Sequence, residues 1–222
     1  MKTMLFIDGG YLYKALQNLY RDAKLPIIDF KKLVDATITA GKDELIRIYY
    51  YNAYPPIYSD QDKQDKIMKL LWQIDEKKRK LISEGKDPAQ ERYKTTEEEK
   101  AEKTFENGKK QMRFYDTLRT KGIDVKLVKL KRNPEGSGEY RQKGVDVYIA
   151  SDMLGLAYRN AYDKAILLSG DVDFVKVIEE IKSLGKIVHA AFYQYGKSFD
   201  LLKSCDAHIE LDANKSFLVF RD

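Results

Sequence analysis

The sequence predicts an α/β protein, a three-layer α/β/α sandwich around a mostly parallel central sheet, carrying a charged helical insertion. Three observations predict it. Short, unbroken apolar runs alternate with stretches of helical periodicity, as expected for strands buried on both faces by crossover helices. Two of those runs stop in acidic turns, Asp8-Gly9-Gly10 and Ser169-Gly170-Asp171. A block dense in Lys and Glu at residues 59–110 interrupts the alternation. At 222 residues and 43% hydrophobic content the chain suits a single domain over residues 1–222, with residues 59–110 as a helical insertion within it.

In chain order, Met4-Leu5-Phe6-Ile7 is a buried strand cut off by Asp8-Gly9-Gly10. Leu12, Leu16, Leu19 and Tyr20 then share one helical face until Pro26 closes the segment. Residues 30–40 are helix-like, and residues 45–51 are rich in the β-branched and aromatic side chains of strands, ended by Pro55-Pro56. In the insertion, Ile67, Leu70, Leu71, Ile74 and Leu81 mark one apolar face, and Asp87-Pro88 divides it into at least two helices. It reads as a solvated arm packed by one stripe, with oligomerisation or substrate guidance as the alternative roles. Met112, Tyr115 and Leu118 lead to a helix end at Lys121-Gly122, and residues 123–130 alternate like a half-buried strand. A basic loop over residues 131–138 precedes a helix at 145–161 and a buried strand at 165–168. Phe174, Val177, Ile178, Ile181 and Leu184 form an amphipathic helix closed by Gly185. A strand at 187–193, a short helix at 199–203 and a strand at 208–211 complete the pattern.

Composition removes several function classes. Cys205 is alone, so an internal disulfide is excluded, and with only His189 and His208 beside it a Cys/His zinc site is disfavoured. Both histidines and Cys205 read as packed residues. No run of about 18 apolar residues occurs, so a soluble, unprocessed protein of the reducing cytoplasm is expected, without membrane contact. The net charge of +5 permits a polyanionic partner without demanding one.

In open parallel sheets, ligands bind beyond the carboxyl ends of the strands. The residues there are acidic: Asp8 after the first strand, Asp171 and Asp173 after the strand at 165–168, and Asp146 at the start of the helix at 145. Carboxylates about 5 Å apart repel by roughly 3 kcal/mol at an effective dielectric near 20, which a divalent cation relieves. Oxygen-only ligands point to Mg²⁺ or Mn²⁺, suited to phosphodiester hydrolysis. Each aspartate also has a structural reading as a turn or cap residue, Asp173 above all. Asp152 lies about 240° round the helix from Asp146 and is a secondary candidate.

Phe6-Ile7-Asp8-Gly9-Gly10, Lys143-Gly144-Val145-Asp146-Val147 and Leu168-Ser169-Gly170-Asp171-Val172-Asp173-Phe174 resemble, in this order, the motifs of NYN domains, the LabA-like branch of the PIN-like nuclease superfamily. The resemblance runs from residue 4 to about 211. It implies a PIN-like sandwich and a metal-dependent ribonuclease in which Asp8, Asp146, Asp171 and Asp173 are metal-binding and catalytic. Ser169 would hold the loop or a water, and Gly9 and Gly170 would support the turns. Tyr11 stands where many relatives carry an Asn in an Asp-Gly-x-Asn pattern, which bears on a substrate contact.

RNA, in single-stranded form, is the expected partner, and a homo-oligomer stays open. Lys126, Lys129, Lys131, Arg132, Arg141 and Lys143 precede Asp146 and offer a rim for phosphates, although basic residues also occur on most solvated edges; Tyr49, Tyr50, Tyr51, Tyr54 and Tyr58 are stacking candidates, although such tyrosines more often pack in a sheet. Two alternatives remain: a non-catalytic RNA- or protein-binding module, and a Mg-dependent phosphatase or nucleotidase. The second is weakened because Asp8-Gly9-Gly10 lacks a second nearby carboxylate and no glycine-rich phosphate loop is present.

Overall fold

The apolar run at Met4 becomes the middle of the sheet. In the computed structural model, which describes residues 1–21, 27–129, 131–132, 140–141, 144–211 and 217–219, it lies in β1 (Lys2–Asp8). There follow α1 (Gly9–Leu19), β2 (Ile27–Ile28), α2 (Phe30–Thr37), β3 (Glu44–Ala53), α3 (Pro56–Ser59), α4 (Gln61–Ser83), α5 (Thr96–Thr120) and β4 (Asp124–Val128). Next come β5 (Lys131–Arg132), β6 (Tyr140–Arg141), α6 (Val145–Tyr158), β7 (Lys164–Leu168), a 3-10 turn (Val172–Phe174), α7 (Val175–Ser183), β8 (Ile187–Phe192), α8 (Phe199–Ser204), β9 (Ala207–Glu210) and β10 (Leu218–Val219). The chain divides into two compact units, residues 1–52, 121–127 and 144–222 forming one and residues 53–120 and 128–143 the other.

In the first unit, the six-stranded sheet runs β4-β3-β1-β7-β8-β9. β1 pairs in parallel with β3 and with β7, and β8 pairs in parallel with β7 and with β9. The α/β sandwich with a mostly parallel sheet is therefore as the sequence predicts. Leu5, Phe6 and Ile7 of β1 and every residue of β7 are buried, which is why these strands read as continuous apolar runs. Each of those large aliphatic or aromatic side chains contributes roughly 1.5–3 kcal/mol by burial. The chain leaves β1 toward β3 and β4 on one side and returns to β7, β8 and β9 on the other. The order thus reverses between β1 and β7, whose carboxyl ends carry Asp8 and Ser169.

Some elements differ from expectation. The Phe174 segment starts with the 3-10 turn, so α7 begins at Val175. β2 and β10 pair antiparallel, Leu218 opposite Ile28, a two-residue ribbon too short to show any periodicity. The expected helix end at Pro26 and the strand end at Leu130 fall outside the described residues. Within the basic loop, Lys131 pairs with Arg141 and Arg132 with Tyr140 as a small antiparallel ribbon.

In the second unit, α4 packs against α5, and Ile67 of α4 and Ala101 of α5 pack with Ile57 of α3. α5 opens on a reciprocal capping box. The Glu98 backbone N–H donates to Thr95 Oγ1 at 3.3 Å, and the Glu98 carboxylate accepts from the Thr95 N–H at 2.8 Å. Lys77 of α4 donates to both Glu98 oxygens at 2.8 Å, so the buried carboxylate is paired rather than orphaned. The break expected at Asp87-Pro88 is the connection between these helices, α4 having closed at Glu84 and Gly85. α5 continues through residue 110 to Thr120 without interruption.

Candidate active site

Asp8 is at once the last residue of β1 and the N-cap of α1, because its extended backbone turns directly into the helix at Gly9. Its Oδ1 accepts from the Tyr11 N–H at 3.0 Å and its Oδ2 from the Ser169 hydroxyl at 3.2 Å. Ser169, fully buried after β7, also accepts from the Asp171 N–H at 3.3 Å, so one hydroxyl ties the two acidic turns together. Burial raises the Asp8 carboxyl above its ordinary value, the negative charge of Asp146 adds to this, and the Tyr11 N–H and Ser169 hydroxyl oppose it.

Asp146 stands in the first turn of α6, entered through Gly144 at φ 113°, a left-handed conformation that only glycine adopts without strain. Its carboxyl is raised by burial first, then by Asp171, and further by Asp173. The Lys14 ammonium on the exposed side of α1 pulls the other way. Asp171 caps the 3-10 turn, accepting from the Asp173 N–H at 3.0 Å, so the cap role expected of Asp173 belongs to Asp171 and Asp173 is exposed. The Asp146 charge thus reaches Asp8, and the charges of Asp171 and Asp173 reach Asp146, at the β1–β7 switch point.

The glycines have a steric role. A Cβ on Gly170 would fall 1.9 Å from the Gly196 carbonyl oxygen and 2.6 Å from the Tyr11 ring. A Cβ on Gly9 would fall 2.4 Å from the Tyr50 ring. Tyr11 is turned inward: its hydroxyl accepts from the Tyr193 N–H at 2.9 Å and faces the Tyr193 carbonyl oxygen at 3.3 Å. It thereby ties the start of α1 to the segment after β8.

Asp152 is engaged elsewhere, accepting from the Tyr51 hydroxyl at 2.9 Å, which with burial pushes the phenol pKa up. Lys143 lies outside the described residues, and Lys131, Arg132 and Arg141 are described only as backbone. Tyr49, Tyr50 and Tyr51 are buried in β3, as packing in a sheet requires, and the alternative stacking role is not available to them. Among the aromatics that are exposed, Tyr148 is two residues from Asp146, and Tyr195 and Phe199 follow β8. His189 is half-buried with its pKa lowered by burial, whereas His208 is exposed on β9, contrary to a packed role. Burial pushes the Cys205 thiol up to about 11, making it a poor nucleophile.

Sequence reading missed Lys14, Tyr148, Tyr195 and Phe199. Lys14 carried one usable signal, lying about one and two-thirds turns into the helix that Asp8 caps. Among the described residues no group of three or more His, Cys, Asp or Glu side chains is gathered as a metal-holding set. The donor chemistry nevertheless fits a hard divalent cation. All four side chains are carboxylates, and the pKa values of Asp8 and Asp146 are raised partly by their acidic neighbours, a repulsion that a cation would relieve.

The NYN domain family profile matches residues 76–212, more than half of the chain. That stretch contains Asp146, Asp171 and Asp173 but begins after Asp8, which joins them through its bond to Ser169. No curated protein matches in sequence. A crystal structure of a protein of unknown function from Vibrio parahaemolyticus is similar to this chain with a TM-score of 0.57 at 18% identity, covering 98% of this chain and 96% of that one. Among the described residues no helix is long and apolar enough to cross a membrane.

Proposed function

Because the chain belongs to the NYN domain family, within the PIN-like nuclease superfamily, we propose that it is a metal-dependent ribonuclease hydrolysing RNA phosphodiester bonds at Asp8, Asp146, Asp171 and Asp173. The observation that carries this reading is the meeting of two acidic turns at the topological switch point, where the Ser169 hydroxyl donates to Asp8 at 3.2 Å and accepts from the Asp171 N–H at 3.3 Å, with the Asp146 charge close enough to add to the effect of burial on Asp8. The four aspartates would hold Mg²⁺ or Mn²⁺. When bound, such a cation supplies Lewis-acid stabilisation of phosphoryl charge and a readily deprotonated water. Ser169 fixes the orientation of Asp8 and, through the Asp171 N–H, of the second turn. Lys14, close enough to lower the Asp146 carboxyl against burial and its acidic neighbours, is a cation that would offset a phosphate brought against the carboxylates. Within this reading the chain is one NYN domain over residues 1–222, residues 59–110 are its helical elaboration, the substrate is single-stranded RNA, and the working compartment is the cytoplasm.

Labelled mixed-sequence single-stranded RNA, incubated with Mn²⁺, Mg²⁺ or EDTA, tests the proposal against Asp171→Asn purified in parallel. Wild type is expected to cleave with either metal and not in EDTA, and Asp171→Asn to lose at least about a hundred-fold in rate, the scale for removing a group that stabilises transition-state charge. Equal cleavage by the variant rejects the assignment. One observation favours a second reading, a binding module without turnover: the described acidic residues are not gathered as a metal-holding set. RNA binding with no cleavage under any metal would select it.

A further inference from the structure

We propose that the segment from Tyr195 to Phe199 is a nucleobase clamp. Phe199 and Tyr195 stack unpaired bases of single-stranded RNA, and the Lys197 ammonium meets the adjoining phosphate. The inference rests on the reading that RNA is brought to the acidic site, and it names the residues that select the single strand.

The placement of this segment comes from packing. Gly170, which precedes Asp171, lies so close to the Gly196 carbonyl that no side chain fits between them. α8, which begins at Phe199, packs against the 3-10 turn that carries Asp173. Tyr11 anchors the segment, its hydroxyl bonded to the Tyr193 N–H. The clamp residues therefore border the Asp171–Asp173 turn directly.

Their exposure is not required by the fold. Phe199 is 66% and Tyr195 50% exposed, although α8 is fixed to the core by Leu201, which is fully buried, and capped by the Ser198 side chain. A polar residue at position 199 would leave that anchoring intact, and what sets Phe199 apart from the equally exposed Tyr158 is its place against the turn that carries Asp171 and Asp173. The Lys197 Nζ lies over one face of the Phe199 ring, 5.1 Å from its centroid, and hydrogen-bonds Gln194, which holds a positive charge beside the ring and leaves its other face for a base. Beside four carboxylates, a polyanion needs such a cation to approach. A flat apolar face with an adjacent ammonium matches a base and its phosphate, and only an unpaired strand can offer the base face.

The test uses the whole chain in EDTA, with fluorescence anisotropy of single-stranded and duplex RNA of equal length, and a single strand containing 2-aminopurine. Phe199→Ala and Tyr195→Ala are each expected to weaken single-strand binding by about ten-fold, the order of one lost stacked base. Phe199→Trp is expected to bind like wild type. Quenching of 2-aminopurine, a direct signature of stacking, is expected with wild type and Phe199→Trp and not with Phe199→Ala. Lys197→Ala, a surface change with no effect on folding, is expected to reduce the salt dependence of binding. Single-strand affinity within two-fold of wild type in both alanine variants, an equal loss on duplex, or no RNA binding by wild type overturns the clamp; so does specific retention of a protein through Phe199 in its place. Loss of stacking in Phe199→Ala by a wild type that binds but never cleaves sustains the clamp while rejecting the nuclease reading.

Discussion

Asp8 shows how one residue serves two ends. As an N-cap it satisfies an orphan N–H of α1, a contribution of about 1 kcal/mol, yet its charge is buried beside Asp146. Because its folded pKa lies above the ordinary 3.8, the ionised form is disfavoured in the fold: the stabilisation is present below that value and is lost as pH rises through the raised one. Asn keeps an acceptor for the Tyr11 N–H and removes the charge. Asp8→Asn is therefore expected to raise metal-free stability at pH 7 by about 1 kcal/mol, the common yield of relieving a strained functional site, while abolishing cleavage. Urea denaturation in EDTA checks it, and a less stable variant would contradict the electrostatic account. Asp8, Asp146 and Asp171 could be singled out as candidates from the sequence, Asp8 and Asp171 by their place just beyond an apolar run and Asp146 by its place at a helix start. Tyr195 and Phe199 could not, since an exposed ring on an irregular segment leaves no periodic trace. The Tyr49-Tyr50-Tyr51 run follows the commoner behaviour of tyrosines in a strand: paired with β1, β3 buries all three, which leaves the stacking alternative without them.

At the scale of elements, β7 is joined to the turn before β3 by a buried ion pair between Lys164 and Asp43, with side chains 2% and 0% exposed. Asp43 also accepts from the Thr39 N–H at 2.8 Å and the Thr3 hydroxyl at 3.3 Å. Burial alone would raise the Asp43 carboxyl, but the Lys164 ammonium and these donors hold it below its ordinary value of 3.8. The sign is thus opposite to that of Asp8: the stabilisation is present above 3.8 and is lost as pH falls through the lowered value. Lys164 opens β7, the one long charged side chain in a fully buried strand, and it is tolerated only because it is paired. Asp43→Asn is expected to cost about 3–5 kcal/mol at pH 7 and to flatten the acid limb of the stability–pH curve. An unchanged acid limb in thermal unfolding from neutral pH downward would refute the role given to the pair. Nothing in the sequence singled out Asp43, because its partner is brought to it only by the β1–β7 and β1–β3 pairings.

For the whole molecule, the parallel sheet was legible because burial on both faces forces unbroken apolar runs, while the β2–β10 ribbon, two residues a side, was not. The candidate site follows from topology. Strands that diverge from β1 leave a crevice at their carboxyl ends; Asp8 and Asp171 each occupy a junction where extended chain becomes helix, and Asp146 stands in the first turn of α6. The central claim is that these carboxylates act together on one divalent cation. Electron paramagnetic resonance titration of Mn²⁺ into the RNA-free protein tests it most directly, comparing wild type with Asp8→Asn and Asp146→Asn. The account predicts saturable Mn²⁺ binding by wild type, displaced by excess Mg²⁺ and weakened at least about ten-fold in each variant. No binding by wild type, or equal binding by all three proteins, would contradict it.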